Sequence, residues 1–156
     1  MRFKKSVIFV LLAVFTAPAF LSAQNGKGNP VLEKKQMFII ASHGAKVPLT
    51  VECARTPTEQ TYGLMFRESV GAEEGMLFVF DSDGYRNFWM KNTKIPLSIA
   101  YISAKGVILE IYDMKPYDIS VTYRSMYPCR YALEVNQGWF AKKGIKPGSK
   151  VIFDAK

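Results

Sequence analysis

The chain has 156 residues, with 21 Lys and Arg against 13 Asp and Glu, a formal charge of +8 and 49% hydrophobic residues. That length suits one domain able to bury a core of its own. A single histidine excludes a histidine-rich metal centre and two cysteines exclude a four-cysteine zinc site, so no metal and no cofactor is expected.

Residues 1–5 carry Arg2, Lys4 and Lys5, and residues 6–21 form an almost unbroken apolar stretch ending in Ser22-Ala23. The stretch is shorter than the roughly 20 residues of a membrane span. It therefore reads as a signal peptide, residues 1–23, rather than as an uncleaved anchor. The mature chain is then exported, to periplasm or exterior, with no membrane span after cleavage and with a net charge of +5. So moderate a charge, outside the cell, argues against a nucleic-acid partner. Residues 24–35 are polar and glycine-containing and read as a flexible lead-in, followed by one β domain over residues 36–156.

Within that domain, Val47, Leu49, Val51 and Cys53 alternate with more polar neighbours, as in a half-buried strand. Thr56-Pro57-Thr58-Glu59 predicts a capping box and a short helix running to about Phe66. The run from Met76 to Phe80 reads as a strand buried on both faces. Asp81-Ser82-Asp83-Gly84 predicts a turn, with residues 86–90 returning as a strand. Leu97–Ile102 and residues 107–112 flank a turn with Gly106 at its corner, a hairpin. Tyr131, Leu133 and Val135 mark another strand, residues 138–143 a helical turn stopped by Gly144, and Val151-Ile152-Phe153 the last strand. Seven or eight such strands predict an all-β sandwich or barrel with one short helix.

Cys53 and Cys129 fall in register with inward-facing neighbours. Two readings stand: a pair of buried inert thiols, or a Cys53–Cys129 disulfide suited to an oxidising compartment. Asp81-x-Asp83-Gly84 is no calcium loop, because Asn92 occupies the position where a bidentate Glu is required.

The segment from Phe88 through Trp89, Met90, Lys91, Asn92 and Thr93 to Lys94 is the most unusual. It joins an indole, ammonium groups, an amide and a hydroxyl, a set able to stack on a flat ligand face and to hold polar or anionic groups beside it. Together with Gly63-Leu64-Met65-Phe66-Arg67, Gly75-Met76-Leu77-Phe78-Val79-Phe80, Ile95-Pro96-Leu97, Leu133-Glu134 and Gly144-Ile145, it closely resembles the domain-of-unknown-function 192 family over about residues 45–154. The resemblance implies a compact β fold of jelly-roll type and names no activity. The family usually carries Asp where this chain has Ser98 and Ser149, so any acid, base or metal role of those carboxylates is lost here.

The candidate ligand site is Arg67, Trp89, Lys91, Asn92, Thr93 and Glu134. Trp89 would stack, Arg67 and Lys91 would fix negative groups, and Asn92 and Thr93 would orient the ligand. Glu134 is expected in an ion pair with Arg67, Lys91 or Arg130. Tyr112, Tyr117, Tyr123, Tyr127 and Tyr131, with Arg124 and Arg130, cluster around a long connection suited to binding. The expected function is a monomeric exported domain binding a small polar or anionic ligand or a glycan. The alternatives are a hydrolase of envelope glycans, which needs a second carboxylate such as Asp113 or Asp118, and an envelope protein-interaction or assembly factor.

Overall fold

The computed structural model describes residues 24–25 and 29–153; the signal-peptide segment lies outside them. Among these residues eleven strands and two short helices run in the order β1 (Gln24–Asn25), β2 (Asn29–Pro30), β3 (Glu33–Ile40), β4 (Lys46–Ala54), α1 (Pro57–Tyr62), β5 (Glu74–Gly84), β6 (Asn87–Phe88), β7 (Leu97–Ile102), β8 (Ile108–Met114), β9 (Tyr123–Arg124), β10 (Cys129–Asn136), α2 (Trp139–Lys142) and β11 (Lys150–Phe153). Seven of the strands make one mixed sheet in the order β11-β3-β4-β5-β10-β7-β8.

The two outer strands of that sheet meet. Val107 and Lys150 form an antiparallel bridge, and Ile108 N–H donates to the Ser149 carbonyl at 2.9 Å. Closure of one sheet on itself is barrel geometry. All neighbouring pairs are antiparallel except β4–β5. A parallel pair needs a long crossover, and residues 55–73, containing α1, supply it.

Two cores lie on opposite faces of the sheet. Met37, Leu49, Cys53, Leu77, Ile102, Ile108, Leu133 and Val151 come from every barrel strand and fill the interior, with Trp139 and Phe140 of α2 packed among them. The second core, Met76, Phe78, Leu97, Ile99, Tyr101 and Ala132, lies on the outer face and is covered by Leu64, Met90 and Ile95 from the long connections. Each fully buried Leu or Ile contributes roughly 1.5–3 kcal/mol. The outer core thus holds the connections down, which is how loop residues come to form a defined site.

Local rules account for several elements. Thr56 caps α1, its hydroxyl accepting from Glu59 N–H while the Glu59 carboxylate accepts from Thr56 N–H. The helix stops at Gly63, short of the predicted Phe66, because Gly63 takes a φ of +47°. Gly106 at the β7–β8 corner has φ +75°, as the hairpin reading requires.

Other expectations change. Residues 29–35 are not a free lead-in: Asn29 Nδ2 donates to the Met65 carbonyl, Leu32 is buried and β3 begins at Glu33. Residues 81–84 are no turn but the end of β5, with Gly84 paired to Cys129. The return strand shrinks to β6, which pairs with β9.

The Cys53–Cys129 disulfide is also excluded. Both thiols are free and buried. Cys53 pairs with Leu77 and Cys129 with Gly84 on opposite sides of β5, a separation of roughly 20 Å along the strand at about 3.3 Å per residue. A bridge needs Cα atoms within about 7 Å. Parity failed because the ladder slips between Cys129 and Tyr131, which turns Cys129 to the outer core and leaves Cys53 in the inner one. Burial pushes both thiols above their ordinary pKa.

Candidate functional site

A cavity of about 380 Å³ opens on the outer face of the sheet, between α1 with its exit and the segment 86–93. Its apolar lining includes Leu64, Phe78, Phe80, Phe88 and Trp89, and its polar lining Gln60, Thr61, Arg86, Asn87, Thr93 and Glu134. A glycine shapes its floor: a Cβ on Gly63 would sit 3.3 Å from the Phe78 ring, so glycine lets the helix exit lie there. Outside the cavity, a Cβ on Gly75 would sit 2.5 Å from the Glu134 carbonyl oxygen, so glycine lets β5 lie close against β10 at that point.

Edge-to-face rings fasten the wall. Phe88 meets Phe78 at 4.8 Å and Tyr101 at 5.9 Å between centroids. Tyr101 OH donates to the Tyr123 carbonyl, tying the barrel to the long connection between β8 and β10. Burial raises the Tyr101 phenol well above its ordinary pKa, so it stays a donor.

Glu134 is the unusual member. It is 5% exposed, lines the cavity and sits in β10 between Met76 of β5 and Ile99 of β7. The predicted ion pair is absent. Arg67 binds Glu52 through both terminal nitrogens, at 2.5 and 3.3 Å, Arg130 binds Asp83 at 2.8 Å, and Lys91 Nζ lies 5.1 Å from the Trp89 ring centroid. With burial and no compensating cation, the Glu134 carboxyl is pushed up to about 8. At neutral pH it is a carboxylic acid, able to donate one hydrogen bond and accept others.

Of the six predicted residues, the structure brings Trp89, Thr93 and Glu134 together at this cavity. Trp89 is 48% exposed, forming the rim, and Thr93 is buried, its hydroxyl donating to the Lys91 carbonyl at 3.1 Å. Arg67 lies in a different hollow beside Lys34 and Glu74. Asn92 turns to a separate cleft, and Lys91 lines none of the cavities described. Sequence reasoning missed Gln60 and Arg86. Arg86 packs its guanidinium 4.0 Å from the Phe80 ring centroid and donates from Nη2 to the Ser82 carbonyl at 2.5 Å, while its buried Nε has no partner. No local pattern flags Arg86; only the fold brings it to Glu134's cavity.

The serines at the family's carboxylate positions hold the scaffold. Ser98 Oγ donates to Asp113 and accepts from Gly138 N–H at 2.9 Å, and Ser149 Oγ accepts from Lys146 N–H at 3.1 Å. Neither lines the cavity, and among the described residues Glu134 is its one carboxylate. Among the described residues no group of three or more His, Cys, Asp or Glu is placed to hold a metal ion.

A crystal structure of a protein of unknown function from Novosphingobium aromaticivorans is similar, with 35% identity and TM-score 0.75, over 84% of this chain and 91% of that one. A second, of a candidate transcription regulator from Sinorhizobium meliloti, shares 32% identity with TM-score 0.77, over 81% of this chain and 98% of that one. No curated protein matches the chain. The model of DUF192, described as "Uncharacterized ACR", matches residues 38–153, which span the barrel from within β3 to the end of β11 together with both walls of the cavity: this chain belongs to the DUF192 family.

Proposed function

We propose that this chain is an exported, monomeric binding domain whose cavity takes a small ligand carrying a polar or anionic group beside a flat apolar face. The observation that carries the reading is Glu134: a buried carboxyl without an ion-pair partner, opening on a cavity rimmed by Trp89. Burying such a group costs stability unless something compensates it, and a ligand's polar atoms would do so. The Arg86 Nε–H, buried without a partner, offers a second donor to the same ligand. Trp89 and Phe88 supply the ring faces, and Lys91, above the Trp89 ring, adds positive potential at the mouth.

A glycan hydrolase would find one of its requirements here, a carboxylic acid still protonated at neutral pH. It would also need a second carboxylate about 5–9.5 Å away, and the cavity lining offers none. Binding is therefore favoured over hydrolysis. An assembly role would use the exposed Ile119, Met126 and Tyr127 instead. A regulator acting on nucleic acid is not favoured here, since Arg67, Arg130 and Lys143 are each held by a carboxylate.

The test is a thermal-shift screen against sugars, organic anions and inorganic anions, followed by calorimetric titration of the best stabiliser. Trp89→Ala should weaken binding at least tenfold and leave folding intact. Lys91→Ala should weaken it severalfold and Arg67→Met not at all. Equal affinity in wild type and Trp89→Ala would remove this site.

A further inference from the structure

The three non-glycine residues with positive φ in the described chain, Phe66 at +61°, Asn92 at +54° and Tyr117 at +59°, come from three different connections and meet at one place. Together with Glu68 and Lys94 they line a separate cleft of about 270 Å³. Backbone hydrogen bonds pin the connections to one another: Phe66 N–H donates to the Asn92 carbonyl at 2.9 Å, and Tyr117 N–H to the Thr93 carbonyl at 3.0 Å. Asn adopts this left-handed region readily, whereas Phe and Tyr do so at a cost in free energy. The fold bears that cost twice, and what it holds in place is two rings that are not buried. Phe66 is 44% and Tyr117 61% exposed. Strain that fixes exposed side chains does not serve core packing.

Segment 91–94 is the shared wall between this cleft and the Glu134 cavity. Thr93 faces the cavity, while Asn92 and Lys94 face the cleft. The chemistry on the two sides differs. Lys94 is neutralised by its ion pair with Glu68, so the cleft holds no uncompensated cation for an anion. The Asn92 amide makes one weak contact, Nδ2 to Met65 Sδ at 3.9 Å, which leaves its carbonyl oxygen as an acceptor. Two ring faces flanked by an amide and an ion pair present apolar surface together with donors and acceptors. A pyranose ring presents the complementary set, an apolar C–H face edged by hydroxyls of both kinds.

We propose that this cleft is a carbohydrate-binding site, separate from the Glu134 cavity, in which Phe66 and Tyr117 stack on a hexose ring and Asn92, Lys94 and Glu68 bond its hydroxyls. The test titrates 15N-labelled protein with cellobiose, N,N′-diacetylchitobiose and, as an anion control, sodium acetate. A saturable shift of the amides of residues 66, 92, 94 and 117 with at least one sugar, and none with acetate, is the expected result. Tyr117→Gly and Tyr117→Asn remove the ring and suit the backbone. Both should lose at least tenfold in affinity while melting at a higher temperature than wild type. No saturable shift with either sugar would overturn the proposal. So would shifts centred on residues 86–89 and 134, or sugar affinity unchanged in both Tyr117 variants.

Discussion

Replacing Glu134 by Gln should make the protein more stable at pH 8 and leave it nearly unchanged at pH 4. The folded carboxyl titrates at about 8 against an ordinary value of 4.5, because it is buried without a cation. Between those values the folded chain keeps a proton that the unfolded chain has released. Its contribution to stability is thus complete below about 4.5 and drains away as pH rises to about 8. At about 1.4 kcal/mol per pH unit the whole interval amounts to about 5 kcal/mol. Water entering the 380 Å³ cavity screens part of this, so the difference between variant and wild type should grow by at least ~2 kcal/mol across the interval. Gln is neutral at every pH and nearly isosteric, so the variant carries the pH dependence of every group except this one. Urea denaturation of both proteins at half-unit steps from pH 4 to 9 measures the difference directly. Two parallel stability curves would refute the reasoning, since they would mean that Glu134 ionises in the folded state as it does in the unfolded one.

Arg67→Met should destabilise by about 3–5 kcal/mol, because it strands the largely buried Glu52 carboxylate; equilibrium denaturation at pH 7 reads it. Gly75→Ala should lower the melting temperature sharply, since its Cβ would meet the Glu134 carbonyl oxygen at 2.5 Å and Val135 Cγ1 at 2.9 Å; a melting temperature equal to wild type would mean that β5 and β10 can part there without cost. Thiol titration should find two reactive groups in denaturant without reductant, and slow reaction in the native state, where burial disfavours both thiolates. Thr56→Ala should cost about 1 kcal/mol through loss of the capping box at α1, measured by denaturant midpoint.

Features set by neighbours in the chain were legible. The capping box at Thr56, the hairpin around Gly106 and the alternation in β10 all appear where local chemistry puts them. Features set by distant partners were not. Glu33-Lys34-Lys35-Gln36 is too polar to suggest a strand, yet it pairs with residues 50–53 of β4. Asp81 to Gly84 has the composition of a turn but stays extended, its end held to β10 at Cys129. Alternation placed Glu134 correctly on the face opposite Leu133 and Val135. Nothing local revealed that this face is roofed by the connections carrying Leu64, Met90 and Ile95, and the roof turns a surface acid into a buried one. Likewise Arg67 looked free for a ligand because Glu52, its partner, lies 15 residues away on β4.

The meeting of β8 with β11 also sets an order of events. β11 is the last strand among the described residues, and it pairs with β3, the first strand of the barrel, placing Phe153 opposite Met37. Until residue 153 is available, β3 and β8 both have an open edge and the interior core lacks Val151. Such long-range pairings make folding slow for a chain of this size. A growing chain would therefore stay unclosed until residue 153 is free. Loss of the last strand should then act on the barrel as a whole, opening it along two seams at once.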